Sequence, residues 1–372
     1  MAAIHQVLPV FSPRDAIGNH TIAVRRALRG MGIDSEIIAG EVNPGAGNGA
    51  RSVREFEGRR GRRLSGDGHT WLLYHASTGS AVVDWLVDRP EPKLVDYHNI
   101  TPAELMGPWE QAVGTELEHG RRQLAELADL TEWAFADSSY NEQELIGLGY
   151  RRTAVVPILL DPASFVGSVD GAALARLAER QRADGGVDWL VVSRLLPHKA
   201  QHDVIKAFAA YRAAYDRSAR LHLVGAIGSS RYADALVDFV DALGLTNAVH
   251  FTGSISPGQL EAYYRTAHVY VALSDHEGFG VPLLEAMAHG LPVVTYACTA
   301  VPETVGNGAL LLDDKDPVIV AAAVQRVVSD DALRAALIAN GRTRLDVFSL
   351  DASTATLRAA VGRILTEAGV AA

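Results

Sequence analysis

The sequence predicts an α/β protein built from two doubly wound parallel sheets, one in each half of the chain. Three observations predict it. Short β-rich runs alternate with helical periodicity from one end to the other. The 372 residues suffice for two cores. A stretch rich in proline and glycine, Pro157 to Gly186, separates the two series of strands.

In the first half, strands are expected at Ile4–Val10, Ser35–Ala39, Thr70–His75, Lys93–His98, Trp133–Ala136 and Ala154–Leu159, most of them separated by helical patterns. The second half repeats the scheme at Trp189–Ser193, Leu221–Gly225, Val249–Thr252, Val269–Leu273, Pro292–Tyr296 and Ala309–Leu312. Beyond Leu312 the pattern is helical only, over Val318–Ser329, Ala332–Arg344 and Ala352–Glu367. The expected domains are therefore 1–165 and 187–351 with a linker at 166–186. The final stretch, 352–372, either caps the second domain or crosses back to the first.

Composition narrows the function. Hydrophobic residues make up 48% and charged residues 21%, which excludes disordered and fibrous classes. A net charge of −10 gives no global positive field for duplex binding, so no nucleic-acid partner is expected. A single cysteine, Cys298, rules out internal disulfides and cysteine-rich metal sites and suits a reducing cytoplasm. Met1 to Val10 lacks a cationic region ahead of its short apolar run, and no apolar stretch reaches 18 residues, so the expectation is a cytoplasmic chain, at most peripheral to a membrane. Arg51 to Arg63 holds six arginines. It reads either as a solvated loop or as a basic lip for an anionic acceptor or membrane surface.

Common catalytic motifs are missing. Phe11 to Asn19 contains no G-x-G-x-x-G, no Gly-Lys pair makes a phosphate loop, and neither G-x-S-x-G nor H-E-x-x-H occurs. The one D-x-D, Asp314-Lys315-Asp316, precedes Pro317 and reads as a helix cap.

The informative run is His276-Glu277-Gly278-Phe279-Gly280-Val281-Pro282-Leu283-Leu284-Glu285-Ala286-Met287-Ala288-His289-Gly290. It follows a predicted strand, at the end where open α/β sheets bind ligands. Pro282 and Gly290 frame a two-turn helix whose free N–H groups make an anion site, and Gly278 and Gly280 permit close backbone approach. Glu277 and Glu285 are then placed to reach two different sugar rings. In a chain with only Lys93, Lys199, Lys206 and Lys315, a lysine after a strand is informative. Arg194 and Lys199 at the mouth of the second sheet suit a diphosphate leaving group.

The order V-S-R-L-L-P-H-K, V-H-F-T-G-S-I and H-E-G-F-G-V-P-L-L-E-A-M-A-H-G-L-P-V-V resembles the retaining glycosyltransferases of family four. That family has the GT-B fold, two Rossmann-like domains facing a cleft. The first half resembles it through the Gly18 loop, Asp96-Tyr97-His98-Asn99-Ile100-Thr101-Pro102 and Ala136-Asp137-Ser138-Ser139. The resemblance implies that Arg194 and Lys199 bind the donor diphosphate and that Glu285 holds the ribose. Glu277 would meet the hexose with the backbone of Phe279, Gly280 and Val281, and Thr252, Gly253 and Ile255 would face the base. His98 and Asn99 would stand beside the reacting sugar, and Asp15 and Gly18 would approach the phosphates or acceptor. Many members carry adjacent glycines in that first loop, where this chain has Ile17-Gly18-Asn19.

The implied activity is transfer of a hexose from a UDP- or GDP-sugar to a hydroxyl acceptor, with retention and without metal or other cofactor. GDP-mannose is suggested by the similarity of Y-H-N-I-T-P to bacterial polysaccharide mannosyltransferases. The alternative is a catalytically silent nucleotide-sugar sensor or assembly subunit on the same fold.

Overall fold

The computed structural model describes residues 2–12, 16–43, 49–60 and 69–370. The chain divides into two compact units. The first comprises residues 1–103, 112–160 and 348–372, and the second 104–111 and 161–347.

The first unit holds seven parallel strands: β1 (Ala3–Phe11), β2 (Ile37–Val42), β3 (Arg51–Ser52), β4 (Thr70–Ala76), β5 (Lys93–Tyr97), β6 (Thr131–Ala136) and β7 (Thr153–Val155). Their order is β3-β2-β1-β4-β5-β6-β7. Strands β4 and β5 are buried along their whole length, as expected for a parallel sheet covered on both faces. Ile4, Trp71, Leu94 and Phe135 pack beneath α1 (Ala16–Gly30) and the Leu350–Glu367 helix, which adds Leu357, Val361 and Ile364 to the same core.

The second unit holds β8 (Asp188–Val192), β9 (Arg220–Val224), β10 (Val249–Gly253), β11 (Val269–Ala272), β12 (Val293–Tyr296) and β13 (Leu310–Leu312), all parallel. The order β10-β9-β8-β11-β12-β13 reverses between β8 and β11. Trp189 packs edge-on against Phe208 and Tyr211 at the centre of this core. Local chemistry sets the helix starts. Ser256 and Gln259 form a reciprocal capping box with Pro257 in the first turn, and Asp316 accepts from the amides of Val318 and Ile319, the cap expected of the D-x-D.

Two segments differ in place from the sequence reading. The Gly171–Asp184 helix, expected in the linker, buries Ala173 and Leu177 against Ala262 within the second unit. Glu104–Gln111, from the first half of the sequence, also belongs to the second unit. There Trp109 packs edge-on against Tyr232, Ser229 donates to Glu110 at 2.5 Å, and Met106 Sδ lies 3.3 Å from His198 Nδ1. Among the described residues, no helix is long and apolar enough to cross a membrane.

Candidate functional site

Strand order in the second sheet turns outward in opposite directions from β8 and β11, which leaves a crevice between the loops that follow them. Lys199 comes from the β8 loop and Glu277 from the β11 loop. Lys199 Nζ is 2.8 Å from Glu277 Oε1, and the Ser274 hydroxyl donates to the same oxygen at 2.7 Å. Thr299 fixes the Glu277 backbone from the β12 loop, its hydroxyl accepting from Glu277 N at 3.0 Å and donating to Glu277 O at 2.6 Å. Arg194 is exposed on the Lys199 loop and forms no ion pair with a described residue. The carbonyl of Arg194 accepts from buried Gln201, which ties the loop to the following helix.

The Val281–Ala288 helix begins beside Glu277. Gly280 precedes it with φ +91°, and a Cβ there would lie 2.9 Å from Leu283 Cδ1, so this entry to the helix requires glycine. The hydroxyl of Thr304 donates to Phe279 O at 2.6 Å, which turns that carbonyl inward. Glu285 accepts a 2.9 Å hydrogen bond from Tyr264, whose ring stacks on His289 at 4.4 Å between centroids. Burial raises the Glu285 carboxyl above its ordinary range, with Tyr264 and His289 pulling it partly back. His198 is held neutral by burial and by Lys199, His276 and Arg194 around it. Thr252, Gly253 and Ile255 lie at the end of edge strand β10, separated from β8 by β9, and the Thr252 hydroxyl donates to Gly253 O at 2.9 Å.

In the first unit, His98 follows β5 and is buried. Its Nδ1 faces both oxygens of Asp137, at 3.0 and 3.2 Å, and its Nε2 lies 2.8 Å from Nδ1 of His75 at the end of β4. His20 Nε2 donates to Asp96 Oδ2 at 2.9 Å. Burial raises Asp137 despite His98; it would raise Asp96 too, but there the neighbouring histidines prevail and hold the carboxyl well below its usual range. Asn99 adopts φ +71° and donates to Asn141 at 2.8 Å and Glu144 at 3.1 Å. Gly18, expected in a loop, instead sits in the first turn of α1, buried, its carbonyl accepting from Thr21. Apolar periodicity extends through Ile17 and Ile22, so the helix starts earlier than the loop reading allowed. Asp15 and most of the arginine-rich run lie outside the described residues.

Residues 178–344 match the family described as glycosyl transferases group 1. The chain is 32% identical over 65% of its length to the D-inositol 3-phosphate glycosyltransferase of Geodermatophilus obscurus, covering 54% of that protein. It is 31% identical to the GDP-mannose-dependent alpha-(1-6)-phosphatidylinositol monomannoside mannosyltransferase of Mycobacterium tuberculosis, over 46% of each chain. The chain spans about half the length of the curated relatives it matches. Among solved structures, Anabaena Alr3699/HepE in complex with UDP and glucose superposes with TM-score 0.75 at 16% identity, covering 98% of this chain and 100% of that one. Sucrose-phosphate synthase from Thermosynechococcus elongatus gives 0.74 at 20%, covering 99% and 100%. The fold of the two sheets is GT-B.

Within the matched region, the structure brings Lys199, Glu277 and the start of the Val281–Ala288 helix together, and sets Glu285 one face further along that helix. Sequence reading missed the supports: Ser274, Thr299, Tyr264 and His289 in this region, and His20, His75 and Asp137 around His98. One signal was available for His75 and His98, since both stand at the C-terminal ends of predicted parallel strands.

Proposed function

We propose that the chain transfers a hexose from a nucleoside diphosphate sugar to a hydroxyl acceptor with the anomeric configuration kept and without a divalent ion. One observation carries the reading: a lysine and a glutamate from the loops after β8 and β11 meet at the switch point of the sheet, beside a helix N-terminus. Arg194 and Lys199 neutralise the diphosphate as charge develops on it, together with the helix N-terminus at Val281. Glu277 keeps Oε2 for hexose hydroxyls, while Phe279 and Gly280 offer backbone. Glu285 receives the ribose, and Thr252, Gly253 and Ile255 the base. His98 and Asn99 serve the transferred sugar, and Asp15 and Gly18 the phosphates or acceptor.

In the step itself the acceptor oxygen bonds to the anomeric carbon on the face the diphosphate leaves. The bond from that carbon to the phosphate oxygen breaks, and the acceptor proton passes to the departing phosphate. Catalysis is orientation and charge stabilisation. The donor base is uridine or guanosine; the name of the Mycobacterium tuberculosis relative favours GDP-mannose. A lipid-linked acceptor would bring Arg51 to Arg63 to a membrane surface.

A thermal-shift series with UDP, GDP and ADP, followed by release of free diphosphate from the matching nucleotide sugars, tests the proposal. Stabilisation by one diphosphate with turnover of its sugar supports it. Binding without turnover on any acceptor class would leave a sensor in its place.

A further inference from the structure

We propose that His75 and His98 share one proton beyond those of two neutral rings, forming a buried imidazole–imidazolium pair that fixes His98 in position. The argument begins at Gln6 in β1. Its Nε2 lies 3.0 Å from the carbonyl of Thr21, a group that only accepts, so the amide orientation is set and Gln6 Oε1 faces His75 Nε2 at 3.0 Å. That contact needs a proton on His75 Nε2. At the far end, the Asp137 carboxyl at 3.0 and 3.2 Å needs a proton on its link to His98 Nδ1. Between the rings, His75 Nδ1 and His98 Nε2 are 2.8 Å apart, and two bare lone pairs at that distance in a dry interior repel. A proton occupies the middle link as well. With the Asp137 carboxyl ionised, three protons on this line are one more than two neutral imidazoles carry.

The geometry distinguishes a proton from a metal ion. The two rings are coplanar to within 4°, and their centroid separation of 5.1 Å equals the N···N distance plus a ring radius at each end. The facing lone pairs therefore lie along one line, as in a linear N–H···N bond, whereas a bound ion needs ligand lone pairs that converge from different directions. His20 cannot join such a set. Its Nδ1 accepts from the Leu159 amide at 2.9 Å, which leaves Nε2 protonated and donating to Asp96.

Charge balance agrees. Asp96 Oδ2 lies 3.5 Å from His75 Nδ1 and 3.9 Å from His98 Nε2, and Asp96 Oδ1 is buried without a hydrogen-bond partner. The Asp96 carboxylate is thus compensated by the charge of the pair. Burial disfavours charge on His75, while the Asp137 carboxyl lies against the far nitrogen of His98. Gln6 of β1, His20 of α1, Asp96 of β5 and Asp137 after β6 are the polar and titratable groups that face the pair from the described elements. Both ring nitrogens of His98 are spent within its own unit, and His75 and Asp137 act as positioning residues for it and for the Asn99 backbone that follows.

The shared proton rests on first-unit geometry alone; its effect on turnover rests on the sugar-transfer reading. The full chain with 15N-labelled histidine should show three ring N–H groups among the four nitrogens of His75 and His98. They should persist from pH about 6 to about 9, past the ~6.5 at which free histidine titrates. His20 should appear as a single Nε2–H tautomer. Two N–H groups at neutral pH, or stoichiometric metal in elemental analysis of the same sample, would overturn the pair. In Asp137→Asn, which keeps the acceptor but not the charge, the pair should lose its proton about 1 to 3 pH units lower. The alkaline limb of kcat should follow it while nucleotide affinity holds. An unmoved limb with a moved titration would overturn the positioning role and leave the pair.

Discussion

Lys199 and Glu277 form a 2.8 Å ion pair across the two central loops of the second sheet. Both side chains keep a solvent-facing portion, so an incoming diphosphate can take Lys199 as a partner without opening the core. Removing the cation from Lys199, or from Arg194, deletes one charge-assisted contact worth about 1.5 to 3 kcal/mol. Isothermal calorimetry with the cognate nucleoside diphosphate should show affinity falling roughly 10- to 150-fold in Lys199→Ala and in Arg194→Ala. Unchanged affinity in both would remove the diphosphate from this crevice.

Glu277→Gln keeps size and loses charge. With the nucleotide held by other groups as proposed, turnover should fall by at least about tenfold, while the dissociation constant for the nucleoside diphosphate changes by less than about threefold. Steady-state kinetics alongside calorimetry measures the split. Collapse of nucleotide binding with persistent turnover of bound donor would reassign Glu277.

The buried Glu285 carboxyl carries a pH signature. If Glu285 receives the ribose as proposed, its ionised form accepts the two hydroxyls, so nucleotide affinity should be full above its raised titration point and fall as the pH drops through it. Tyr264→Phe deletes a hydrogen bond to the charged form and should move that fall to higher pH. For folding the sign is opposite: a carboxyl raised in the folded state adds stability that is full below its unfolded value and lost as pH rises through the folded one. Calorimetry at several pH values between about 4.5 and 7.5 checks the binding arm, and a profile identical in the two proteins would detach Tyr264 from the site.

If paired cations and a helix N-terminus stabilise the leaving diphosphate as proposed, activity should survive excess EDTA. Same-face attack makes an α-linked donor give an α-linked product. Anomeric proton coupling reads this for gluco sugars, and one-bond carbon–proton coupling for manno sugars. A β-linked product or a strict metal requirement would point to different chemistry.

The strands were legible because buried parallel strands are written as runs such as Trp189-Leu190-Val191-Val192, which need no partner to be recognised. Strand β3 was not, because Arg51 and Ser52 carry no apolar signal and form a two-residue edge beside β2. Lys199 and Glu277 stood out since each follows a strand in a distinctive run. Their supports did not: Tyr264 reaches Glu285 from a neighbouring helix, and Thr299 reaches Glu277 from another loop. His20, His75 and Asp96 are far apart in sequence and each alone reads as an ordinary core residue. Only the order β1-β4-β5 makes them neighbours.

The placement of Glu104–Gln111 in the second unit bears on how separable the two halves are as parts. A recombinant fragment starting at Asp161 would bare the face of Tyr232, leave Ser229 without Glu110 and uncover His198 beside the Lys199 loop. Chimeras that exchange the second unit between related chains should carry this short segment along with residues 161–347. The second unit is then discontinuous in the gene, with part of it encoded inside the first half of the chain.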